Sequence, residues 1–162
     1  MNLVLAERLQ TNLRRRRQDN FGIWAGVMLM NWSEDYLIGI TEIDEQHKAF
    51  FEAAHRLYDR ILNCEGEKAI EESVTFLRDY ANSHFRTEEA FMRKHGFPRL
   101  EEHQKLHAEF FDMLEALVHD LNLFGPSQHL ADHALEVSQD WLIHHITDED
   151  AQYAAHVRQQ AR

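Results

Sequence analysis

One cysteine, two prolines and six glycines are all that 162 residues contain of the side chains that staple, break or loosen a backbone. With Cys64 alone, no internal disulfide forms and no thiolate cage for a metal can be assembled, which fits a cytoplasmic, reducing setting. So little proline and glycine leaves few turns, and the chain reads as long helices rather than many short strands. Basic residues are scarce as well. Seventeen Lys and Arg stand against 28 Asp and Glu, a net charge of −11 that argues against nucleic acid and against anionic membrane surfaces as partners. No apolar run approaches the ~18–20 residues that a membrane span requires. At this length the chain suits one domain with a core of its own.

The charge is uneven. Residues 1–31 carry five Arg against one Glu and one Asp, a local +3 that leaves −14 for the rest. "RRRR" at 14–17 precedes "FGIWAGVMLM", which superficially resembles a secretion signal, but the run is short and no small-residue cleavage site follows it. Residues 1–30 are therefore read as an N-terminal extension, poorly ordered or lying ahead of a true start at Met28 or Met30. Residues 31–162 form the folded domain.

Four segments of that domain show helical periodicity. The first, from about Ile43 to Leu62, repeats Ile43, His47, Phe50, Ala54, Leu57 and Ile61 every three or four residues. The second, about 67–94, carries Ile70, Val74, Leu77, Tyr80, Ala81, His84, Glu88 and Phe91, and "HGFP" ends it. The third, about 99–124, shows Leu100, His103, His107, Phe110, Leu114, Val118 and Leu121 before "FGPS". The fourth, about 128–158, has Leu130, Ala134, Val137, Trp141 and then His144 or His145. Long helices joined by short loops pack beside one another, so the fold expected is all-α, an antiparallel up-down-up-down four-helix bundle.

Twelve histidines are far more than a chain of this size ordinarily holds, and their positions matter more than their number. Each stripe is apolar except at one level, which holds His47, then His84 with Glu88, then His103 with His107. Residues four apart on a helix share a face, so these are inward-pointing pairs. Taken singly, each has an ordinary explanation: a hydrogen-bonded core histidine, a solvated H-x-x-x-H, a helix ion pair. Burying several polar groups at one level without a shared partner costs several kcal/mol for each. A metal supplies that partner, and a carboxylate can give one oxygen to each of two ions. Glu52 and His55 form an E-x-x-H pair, but no second copy exists, which disfavours a ferritin-like site. In "HHITDED" at 144–150, periodicity leaves two pairings open, His145 with Glu149 or His144 with Asp148.

Four stretches together resemble the hemerythrins of the bacterial single-domain type: "NWSEDYLIGITEIDEQHKAFF" at 31–51, "HFRTEE" at 84–89, "HQKLH" at 103–107 and "HITDED" at 145–150. The resemblance runs over roughly residues 31–156. It implies a non-haem di-iron centre in which His103, His107 and His145 bind one iron, and His47 and His84 bind the other. Glu88 and Asp150 would bridge the ions, with a solvent-derived oxo or hydroxo group as third bridge. Dioxygen would bind reversibly at the open iron, for oxygen storage, delivery or transport rather than catalysis, with an oxygen-accepting protein as partner to a monomer. Sensing of oxygen, nitric oxide or redox state, or peroxide handling, is the alternative. Phe50, Phe85, Trp141 and Ile146 match the family's pocket-lining positions, and Tyr153 matches an aromatic near the site. The resemblance also selects His145 with Asp150, five residues apart. On a regular α-helix that spacing leaves two side chains about 140° out of register. Either Asp150 reaches around from the helix flank, or a π-type turn brings it into line.

Overall fold

The computed structural model describes residues 31–160; the extension at 1–30, with its arginine run, lies outside the described residues. Helix α1 is Thr41–Leu62, α2 is Glu67–Lys94 and α3 is Leu100–Phe124. The fourth rod is composite. Helices α4 (Gln128–Leu135), α5 (Trp141–His144) and α6 (Ala151–Gln160) run head to tail through two π-helical segments, π1 (Glu136–Asp140) and π2 (His145–Asp150). Consecutive helices pack on each other and α1 packs on α4, which closes the antiparallel four-helix bundle expected from the periodicity. No strand occurs among the described residues.

The stops between helices are chemical. After α2, Gly96 takes φ +61° and its N–H bonds to Arg93 O (3.3 Å), while Phe97 N–H reaches back to Met92 O (3.0 Å). This left-handed close is what glycine permits, and it turns Phe97 against Tyr153 of α6, with ring centroids 6.2 Å apart. Before α4, the Ser127 side chain accepts from Leu130 N–H (3.1 Å), an N-cap that starts the fourth rod.

The stripes read from sequence face inward. Phe50, Leu57, Leu77, Phe110 and Leu114 are fully enclosed. The segment before α1 is tied down from two sides. Asp44 is buried and accepts from Ile38 N–H (2.8 Å) and Gly39 N–H (3.1 Å), while Arg158 of α6 donates to Ile38 O (2.8 Å). Trp32 and Tyr36 pack edge-on and stacked against Phe51, each at 5.5 Å. Asp44→Ala strands two backbone donors, and a lost buried acceptor costs about 1–3 kcal/mol. Urea unfolding of the variant should show a loss in that range at unchanged metal content; a loss below about 0.5 kcal/mol would contradict the anchoring role of Asp44.

Candidate metal centre

All four rods contribute to one polar layer. Helix α1 brings His47, α2 brings His84 and Glu88 one turn apart, α3 brings His103 and His107, and π2 brings His145 and Asp150. These seven side chains are at most 3 % exposed, surrounded by the apolar residues of the same stripes. Their donor atoms fall into two groups whose members lie within 4.8 Å of one another: Glu88 with His103, His107 and His145, and Glu88 with His47 and His84.

The carboxylates divide their oxygens between the two histidine groups. Glu88 Oε1 lies 3.4 Å from His47 Nε2 and 3.7 Å from His84 Nε2, while its Oε2 lies 3.2 Å from His107 Nε2 and 3.8 Å from His103 Nε2. Asp150 does the same from the opposite rod. Its Oδ2 is 3.2 Å from His47 Nε2, and its Oδ1 is 3.2 Å from His145 Nε2 and 3.4 Å from His103 Nε2.

Proximity here does not amount to hydrogen bonding. Both ring nitrogens of His47, Nε2 of His84 and His103, Oε2 of Glu88 and both oxygens of Asp150 are buried without a hydrogen-bond partner. Each such atom costs about 1–3 kcal/mol, and a domain's whole net stability is only about 5–15 kcal/mol. His107 Nε2 and His145 Nε2 also face each other at 3.2 Å, an arrangement that two lone pairs tolerate only around a proton or a cation. Imidazole nitrogens and carboxylate oxygens aimed at two shared spaces form a donor set that suits iron or another first-row metal. The cluster fits a pair of such ions.

The π2 segment explains how Asp150 joins the layer. Its wider turn brings residues five apart onto one face, so His145 and Asp150 both point inward where a regular helix would separate them by about 140°. The departure from α-helix expected at this place is present, and His144 and Asp148 pair with each other at 3.0 Å on the exposed side. No periodicity signals π1, where Val137, Ser138 and Gln139 are buried in succession and Gln139 meets His55 at 3.1 Å.

Protons compete with metal for these atoms. Burial disfavours the charged form of His47, yet Asp150 and Glu88 outweigh it and hold its pKa up at about 9. Burial likewise opposes charge on His145, and the same carboxylates raise it to about 10. For His84 burial wins, and its pKa falls to about 4. Burial pushes the Glu88 carboxyl up, but the imidazoles of His84, His103, His107 and His145 gathered around it hold it well below the usual range. Tyr153 stays protonated: burial and the Glu88 charge push it well above 10 while its hydroxyl donates to Glu88 Oε1 at 2.9 Å.

Around the layer, Phe50 and Phe85 lie 6.1 and 5.5 Å from the His84 ring. Phe85 also stacks on His107 at 3.8 Å, and Trp141, half-buried, stacks on His145 at 4.5 Å. Ile146 is buried in π2. Two further residues went unnoticed in the sequence. Gln46 Oε1 meets His84 Nδ1 at 3.0 Å, and Glu89 Oε1 meets His107 Nδ1 at 3.0 Å. Each is the immediate chain neighbour of a candidate ligand, a signal that a search along the inward stripe passes over.

Residues 38–157 match the hemerythrin HHE cation binding domain. The chain is 30 % identical over 140 residues to a bacteriohemerythrin of Stenotrophomonas maltophilia, covering 84 % of this chain and 89 % of that one. It is 34 % identical over 128 residues to a bacteriohemerythrin of Pseudomonas aeruginosa, covering 78 % and 80 %. A crystal structure of a point mutant superposes with a TM-score of 0.68 at 23 % identity, over 81 % of this chain and 98 % of the other, which supports the fold.

With pKa values raised to about 9 and 10 respectively, His47 and His145 are protonated at pH 7, and a metal must displace those protons. Anaerobic addition of Fe2+ to the metal-free protein at pH 7 should therefore release protons in a pH-stat. Metal affinity should rise with pH until both rings are neutral. Uptake without proton release at pH 7 would show that these histidines do not meet the metal.

Proposed function

The chain belongs to the hemerythrin family, and on that premise we propose that its buried layer holds two non-haem irons and binds dioxygen reversibly, for storage, delivery or transport. The observation that carries this reading is the split of Glu88 and Asp150, each with one oxygen toward either histidine group. A single ion would need neither split. His103, His107 and His145 would hold one iron, His47 and His84 the other, and Glu88 and Asp150 would bridge them. The position with two imidazoles is short of one protein donor relative to its neighbour, so an exogenous ligand finds room there.

Held by these residues, a pair of irons would supply the two electrons that dioxygen takes up on binding, and the Glu88 and Asp150 carboxylates would favour the oxidised pair. The remaining work belongs to side chains. Phe50 and Phe85 crowd the ring of His84 and, with Trp141 and Ile146, keep water from the layer. Tyr153 fixes Glu88 by its hydroxyl and holds that proton rather than releasing it. Such a dry, apolar surround favours release of dioxygen unchanged over turnover, which supports the binding reading. Among the described residues no helix is long and apolar enough to cross a membrane.

His84→Ala and His107→Ala should each lower bound iron, whereas His119→Ala, at an exposed position on α3, should not. Equal iron in all three proteins, measured by metal analysis after anaerobic loading, would refute the ligand assignment. For carriage itself, the reduced iron-loaded protein should develop an absorption band in air and lose it on deoxygenation over repeated cycles. One-way conversion to a stable ferric form would sink the carrier reading and favour sensing or peroxide turnover.

A further inference from the structure

The two metal positions differ in what stands behind their imidazoles. On the two-histidine side, His84 Nδ1 faces the amide oxygen of Gln46 at 3.0 Å, and His47 Nδ1 is buried with no partner. On the three-histidine side, His107 Nδ1 faces a carboxylate oxygen of Glu89 at 3.0 Å. A neutral amide backs one position and an anion backs the other.

Neighbouring bonds fix both partners. Thr87 spends its hydroxyl proton on Ser83 O (3.1 Å), so it can only accept from the Gln46 NH2 group, at a long 3.5 Å. That leaves the Gln46 oxygen for His84, whose Nδ1 must then carry the proton and whose Nε2 keeps its lone pair for the layer. Tyr80 steadies the same stretch by donating to Gln46 O at 3.0 Å. Glu89 is held by Gln104, which donates to its Oε2 at 2.6 Å, leaving Oε1 for His107. A carboxylate behind a ligating histidine makes the ring a stronger donor, and a neutral amide does so less.

We propose that Gln46 and Glu89 are opposed positioning residues: the Glu89 carboxylate strengthens His107 so that its metal position favours the oxidised ion, while the Gln46 amide keeps the His47–His84 position the more easily reduced of the two. The inference rests on the di-iron reading above. It makes the asymmetry of the centre a matter of outer charge as well as of ligand number. A purely structural role would be satisfied by any side chain of the same shape, since Gln46 ties α1 to α2 and Glu89 ties α2 to α3.

The isosteric exchanges Gln46→Glu and Glu89→Gln keep shape and change only charge. In the anaerobic iron-loaded protein, spectroelectrochemical titration should show a lower midpoint potential for Gln46→Glu and a higher one for Glu89→Gln. Unchanged potentials, or shifts of the same sign, in variants that retain two irons would overturn the proposal and leave the di-iron reading standing. A parent protein that binds no pair of irons would overturn both. Independently of metal, 15N NMR of the metal-free parent should find His84 protonated at Nδ1, with that preference lost in Gln46→Leu. A parent His84 protonated at Nε2 would overturn the role assigned to Gln46.

Discussion

A carboxylate out of reach of water has to be met by protons or by a cation, and the bundle is built around two of them. Glu88 and Asp150 are fully buried where the four rods converge, each facing histidines on both sides. In the metal-free state their charge is answered by protons borrowed by His47 and His145, whose pKa values rise to about 9 and 10. That answer is incomplete, because both oxygens of Asp150 and one of Glu88 still lack hydrogen bonds. A pair of cations would satisfy all of them at once. Stability and function are therefore linked in one layer: the groups most costly to bury are those that would hold the metals.

The apolar stripes serve that layer. They bring three regular helices into register so that His47, His84 with Glu88, and His103 with His107 meet at one height. The fourth rod solves a harder problem, because its two inward groups are five residues apart. The π2 turn gives up regular helix to place His145 and Asp150 together, and the proposed metal site is the compensation.

The sequence carried most of this, for physical reasons that can be named. Burial acts on every third or fourth residue, so the four helices and the level of their polar residues stand out in the pattern. Helix ends were marked by side-chain chemistry, as at Gly96 and Ser127. Within "HHITDED" periodicity could not choose, because it presumes a regular helix; the family resemblance pointed to His145 and Asp150, which the structure brings to 3.2 Å. The π1 segment stayed invisible for the same reason. Gln46 and Glu89 lie one residue off the inward stripe, and only three-dimensional contact shows them behind His84 and His107.

The central claim is that Glu88 and Asp150 are shared between two metal ions. Crystals of the iron-loaded protein, measured at the iron absorption edge, test it directly. The account expects two anomalous peaks, one among His103, His107 and His145 and one beside His47 and His84, with Glu88 and Asp150 each touching both. A single peak, or Asp150 in contact with neither ion, would contradict it.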